Sequence, residues 1–176
     1  MPNNAFRAHP LTWAMIGFIV QVFNFNIYIL IVGSTITLVS FFRLKDVNNS
    51  FKTGFYITLT QFVCLFAIIF SNYIWQEYIQ IYHINVLFSS MLLISQLLAF
   101  YIGIKDYCER YDFPLISNSF MFSAFLSTGL HFFHFYFASG FEGGVVIYFP
   151  VLILAIILHL NNFILISHVV NYSDLE

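Results

Sequence analysis

The chain has 176 residues, 60% of them hydrophobic, 21% aromatic and 8% charged, with a formal net charge of −2 and a mean hydropathy of +0.85. A soluble domain carries about 25% charged residues, so this chain lacks the polar surface of a wetted globule. The near-neutral charge and the lack of a basic cluster argue against a nucleic-acid partner.

Five apolar segments follow in order. The first runs from about Leu11 to Phe42 and ends at Arg43, Lys45 and Asp46 before the polar VNNS. The second runs from about Gly54 to Trp75, closed by Gln76 and Glu77. The third runs from about Val86 to Ile104 and stops at Lys105 and Asp106. The fourth covers about Ser117 to Ala138, with Pro114 just ahead to set a helix start. The fifth runs from about Val145 to Val170, with Pro150 expected to kink it or delay its start.

Backbone amides in lipid must bond internally, and long uniform apolar runs do not fit a barrel's alternating strands. The expected fold is therefore all-α: one domain over 1–176, a polytopic transmembrane bundle of five helices, six if the first segment is a hairpin. Trp13, Tyr73, Trp75 and Tyr148 lie near segment ends, where amphipathic rings prefer the headgroup region. Arg7 and His9 lead straight into a long span, so no cleavable signal peptide is expected. No internal repeat is evident.

The first segment is too long for one ordinary span. Its 32 residues would reach roughly 48 Å as a helix, against a hydrocarbon core of about 30 Å. One long tilted helix places Arg7 opposite the other cations. A hairpin broken at Asn24-Phe25-Asn26 places Arg7, Arg43, Lys45, Lys52, Lys105 and Arg110 on one side, as the positive-inside rule prefers. Its two arms, of about 15 residues each, are short for crossing.

Polar side chains inside apolar segments are the candidate functional residues. His131 and His134 lie one helical turn apart. A metal or b-type haem would need further ligands from other helices, such as His159 or His168; inter-helix hydrogen bonding is the simpler role. Gln21, Asn24 and Asn26 form a polar stripe, and Asn161 and Asn162 a second polar point; both fit helix–helix hydrogen bonds. Asp106, Glu109, Arg110 and Asp112 make a mixed-charge loop. Cys64 reads as a small buried hydrophobe, and its distance from Cys108 in sequence argues against a disulfide or metal pair. No nucleophile–base pair, phosphate loop or paired intramembrane carboxylate is present, so no catalytic site is expected.

Three patches resemble subunit III of the haem–copper cytochrome c oxidases. Trp13, Ala14, Met15, Ile16, Phe18, Ile19, Val22 and Phe23 are similar to the family's third helix. Asp106-Tyr107-x-Glu109, Pro114, Ile116-Ser117 and Thr128-Gly129-x-His131-x-x-His134 resemble the approach to, and body of, its sixth. Gly140-Phe141-Glu142-Gly143-Gly144 resembles the loop before its last helix. The family's intramembrane glutamate falls at Gln21, which cannot ionise, and its histidine and aspartate after the loop fall at Phe149 and Leu152.

This resemblance implies helices three to seven of a seven-helix family, with Leu11–Phe42 as a single first helix. The family's first two helices are then lost or supplied by a separate polypeptide. It implies a non-catalytic subunit that holds no haem or copper, packs against subunits I and II and accessory subunits, binds phospholipid and supports proton uptake. Haem a and copper belong to the partner subunits. His131, His134, Asp106, Glu109, Glu142 and Gln21 become lipid or subunit contacts. Phe (24) and Ile (23) outnumber Ala (8) about threefold, which suggests an A/T-rich organelle gene and the mitochondrial inner membrane. A structural subunit of respiratory complex I is the alternative. A small transporter would call for an internal repeat or paired midplane polar sites.

Overall fold

The computed structural model describes residues 9–22, 27–74, 79–110, 120–126, 128–130 and 144–173. Among them no residue lies in a strand. In chain order the helices are α1 (Pro10–Val22), α2 (Ile27–Leu44), α3 (Asn49–Ile74), α4 (Ile79–Arg110), α5 (Phe120–Leu130) and α6 (Gly144–Ser173). The fold is all-α, as the sequence predicts.

The first apolar segment is a helical hairpin, which corrects the expectation of one long helix. Gly17 of α1 faces Gly33 of α2, and Gln21 reaches across to Thr37. A Cβ on Gly17 would lie 3.0 Å from the Gly33 carbonyl oxygen and 2.9 Å from the Thr37 nitrogen. Only glycine lets two backbones approach so closely, and small residues at a crossing are how helices pack where solvent gives no hydrophobic drive. One straight helix would have spread Gln21, Ser34 and Thr37 along its length without partners; the hairpin buries all three. Asn24 and Asn26 lie outside the described residues.

Helix starts follow from local chemistry. His9 accepts at both its carbonyl and Nδ1 from the first amides of α1, and Pro10 takes the first helical position, where a missing N–H costs nothing. Asn48 caps α3: its Oδ1 accepts from Phe51 N at 2.9 Å. The same amide donates to Gly103 O at 2.8 Å, which ties the start of α3 to α4.

Helices α3 and α4 outrun the expected spans. The charges at Lys105 and Asp106 do not end α4, because Lys105 pairs with Glu109 at 3.6 Å one turn on, and the helix continues to Arg110. Being exposed, that pair adds at most a few tenths of a kcal/mol. At 32 residues, α4 is roughly 48 Å long and exceeds a bilayer core. Pro150 does not delay α6, which starts at Gly144 and runs through it.

Four phenylalanines from four helices make the core: Phe18, Phe41, Phe51 and Phe100, all fully buried. Their ring centroids lie 5.2 Å (Phe18–Phe100) to 6.3 Å (Phe41–Phe51) apart, in tilted and edge-on arrangements. Gly54 and Gly103 leave room for the rings of Phe41 and Phe51. Helix α6 packs on α1, and its Ile166 joins the same core.

Two stretches, Asn49–Phe70 and Met91–Arg110, are long and apolar enough to cross a membrane. Large apolar side chains also face outward, among them Tyr28, Phe70, Phe122 and Phe125. Apolar surface this extensive is foreign to a monomer in water.

Candidate functional site

The interior contains two sets of polar side chains, each joining several helices. The larger joins α1, α2, α3 and α4 through Gln21, Ser34, Thr37, Gln61 and Gln96, all fully buried. Gln21 Nε2 donates to Thr37 Oγ1 at 2.8 Å, and Thr37 donates to Gly33 O at 2.9 Å. Ser34 Oγ lies 3.3 Å from both Gln21 Oε1 and Gln61 Oε1. Gln96 Nε2 donates to Gln61 Oε1.

A hydroxyl has one proton, so Ser34 donates to one glutamine at a time. Turning the Gln61 and Gln96 amides through 180° removes this conflict: Gln61 then donates to both Ser34 and Gln96. In the first arrangement Gln61 Nε2 and Gln96 Oε1 are buried without a partner. The turned arrangement instead leaves the opposite atom of each amide unpaired. These residues lie 7–14 residues from the helix ends nearest the charged side chains, roughly 10–21 Å along the helix axes.

The second set links α4 to α6. Asn162 Nδ2 donates to the Tyr101 hydroxyl at 2.9 Å, which lies 3.4 Å from His159 Nδ1. The Tyr101 hydroxyl thus lies between Asn162 and His159, and the tautomer of His159 sets which of the two rings donates. Tyr101 also packs edge-on against Phe120 of α5, with centroids 5.2 Å apart. His159 therefore binds between helices, through a tyrosine. The amphipathic pattern of α6 gave no warning of this, but three polar residues within four positions of an apolar helix did.

Among the described residues the charged side chains gather at one end. Arg43, Lys45, Lys52, Lys105 and Arg110 fall at the end of α2, the start of α3 and the end of α4. Ser50 donates to Asp106 Oδ2 at 3.0 Å, and Arg110 Nη1 to Val47 O at 3.3 Å. Lys45 Nζ sits 4.1 Å from the Phe42 ring centroid and 5.8 Å from that of Phe55. Next to this end, α1 and α2 enclose a cleft of about 230 Å³ lined by Pro10, Trp13, Ile36, Val39, Ser40 and Arg43.

Of the residues singled out in the sequence, Gln21 is in the buried layer, while Asp106 and Glu109 are at the charged end. His131, His134 and Glu142 lie outside the described residues. Cys64 is half-buried and Cys108 buried, and both are free thiols. His168 is exposed on α6. Sequence reasoning missed Ser34, Thr37, Gln61, Gln96 and Tyr101. Glutamines near the middle of apolar helices, at matching distances from the charged ends, were the available signal.

Comparison of the chain with protein-family models, curated proteins and solved structures gives no match.

Proposed function

We propose that the chain is a structural subunit embedded in a membrane, with its interior polar groups spent on holding helices together. Two observations support the membrane reading. Apolar side chains face both inward and outward, and every described lysine and arginine lies at one end. A hairpin of two helices ahead of Arg43 is also the arrangement in which the positive-inside rule groups Arg7 with these cations. The hairpin thus removes the charge penalty that a single long first helix carried.

The assembly we propose is the haem–copper terminal oxidase of the mitochondrial inner membrane, with this chain in the role of subunit III. One observation carries that choice: the ordered match of Asp106, Tyr107, Glu109, Pro114, Ile116, Ser117, Thr128, Gly129, His131 and His134. It includes polar residues that a Phe- and Ile-rich composition does not supply by chance. The hairpin changes the helix register. If α1 were the family's third helix, α5 would be its seventh, one place too late for the His131–His134 motif. The patch in α1 therefore drops out of the argument, and the second and third patches remain.

In this role the chain supports a catalytic partner, and haem and copper sit in other subunits. In this reading the cleft beside α1 would take part of a phospholipid, with Arg43 facing a phosphate and Ile36 and Val39 a stretch of acyl chain. The test is purification in mild detergent from native membranes. A complex containing haem a and oxidase subunits I and II is expected. A complex with complex I subunits and no haem a would refute the oxidase assignment.

A further inference from the structure

The polar layer between α1, α2, α3 and α4 is one donor and one acceptor short of complete. Both polar atoms of the Gln21 side chain are engaged, its nitrogen with Thr37 and its oxygen with Ser34. Gln61 and Gln96 are bonded to each other through one atom of each amide. The other atoms, Gln61 Nε2 and Gln96 Oε1, have no partner, and both side chains are fully buried.

The shortfall does not depend on how the amides are oriented. One orientation leaves an NH2 on Gln61 and a carbonyl on Gln96; turning both amides exchanges the two. Turning only one would set like atoms against each other. Either way the remainder is one N–H donor and one C=O acceptor on neighbouring side chains.

The surrounding protein supplies neither partner. One turn away on the same helix faces lie Thr58 and Leu65 of α3, and Leu93 and Phe100 of α4, all fully buried. Three of them are apolar, and the Thr58 hydroxyl donates to Gly54 O. Backbone groups in mid-helix are bonded within their own helices. Buried polar groups in folded proteins are paired with protein or with ordered water. Among the described residues no carboxylate is buried, so nothing here would balance a cation.

We propose that this layer binds one water molecule, which accepts from the free NH2 of one glutamine and donates to the free carbonyl of the other. Water is the smallest ligand that fills both roles. Each unpaired atom lies about 2.3 Å from the bonded atom of its own amide, so the two are at most about 7 Å apart. One water with a bond of about 2.9 Å on either side spans up to about 6 Å. It closes Gln61 and Gln96 into a ring and completes a chain that runs from Thr37 through Gln21 and Ser34. The inference rests on the packing of α1 to α4 and on neither the membrane nor the oxidase reading.

Water-edited magic-angle-spinning NMR tests it on the full chain in phosphatidylcholine vesicles, with nitrogen-15 in glutamine and phenylalanine. Transfer of magnetisation from water to the side-chain amide of Gln61 or Gln96 is expected, with none to the buried backbone amides of Phe18 and Phe100. Gln96→Met and Gln61→Met assign the two signals, and each should abolish the transfer to the remaining amide. Helix content checks that the variants fold, and the parent chain alone can refute the proposal. Two dry side-chain amides would overturn it. So would transfer that persists unchanged in both variants, or equal transfer to Gln21, Gln61, Gln96 and Phe100, which would mean an interior open to water throughout.

Discussion

Replacing Gln61 by leucine should destabilise the bundle, and replacing Gln96 as well should restore most of the loss. Among the described residues, the Gln96 amide bonds only to Gln61, and both side chains are fully buried. Gln61→Leu strands the Gln96 amide in an apolar interior. A stranded buried amide costs about 1–3 kcal/mol, so a loss of about 2 kcal/mol is expected. Gln96→Leu costs less, about 1 kcal/mol, because Gln61 keeps Ser34. The double substitution removes two amides that each already have an unpaired atom. It should lie within about 1 kcal/mol of the parent, a coupling of about 2 kcal/mol. Equilibrium unfolding in mixed micelles, followed by far-ultraviolet circular dichroism, measures all four chains. Additive losses of about 3 kcal/mol in the double variant would mean that the two glutamines do not meet.

The glycine crossing gives a paired contrast. Gly17→Ala drives a Cβ against the backbone of α2 and should cost about 1–3 kcal/mol, whereas Gly129→Ala meets nothing within 4 Å and should be neutral or stabilising by up to about 1 kcal/mol; the same unfolding assay reads both. The two asparagines give another. Asn162→Leu should cost about 1–2 kcal/mol by removing the donor to Tyr101, while Asn161→Leu in dilute micelles should change stability by less than about 0.5 kcal/mol.

Much of this architecture is legible in the sequence, for reasons that differ between elements. Helices α3, α4 and α6 follow from long, uniformly apolar runs, for which helix is the expectation. The bounds expected for α6 nearly match, whereas the start of α3 and the end of α4 differ from expectation because charged residues continue a helix instead of stopping it. Lys105 and Asp106 instead lie inside α4, where the Lys105–Glu109 pair spans the last turn to Arg110. The first segment failed for a different reason. A turn at Asn24–Asn26 and a continuous helix have similar local composition, and the deciding contacts are between residues 16 apart, Gly17 with Gly33 and Gln21 with Thr37. Local pattern holds no record of such pairs. The same limit hid the Gln61–Gln96 and Tyr101–Asn162 bonds, 35 and 61 residues apart in sequence. Polar residues in apolar helices are the signal the sequence does offer: Gln21 and Asn162 bond between helices, whereas Asn161, expected to do the same, is exposed, and Gln21, a lipid or subunit contact by the resemblance, is fully buried against Thr37.

The central proposal is a membrane bundle that opens with a hairpin and keeps its basic residues on one side. Single cysteines replacing Arg7 and Lys45, in a chain otherwise free of cysteine, test it most directly. They are labelled in sealed, oriented vesicles with a membrane-impermeant maleimide. The hairpin predicts that both positions react from the same side of the membrane. Labelling from opposite sides would restore the single long helix and contradict the account.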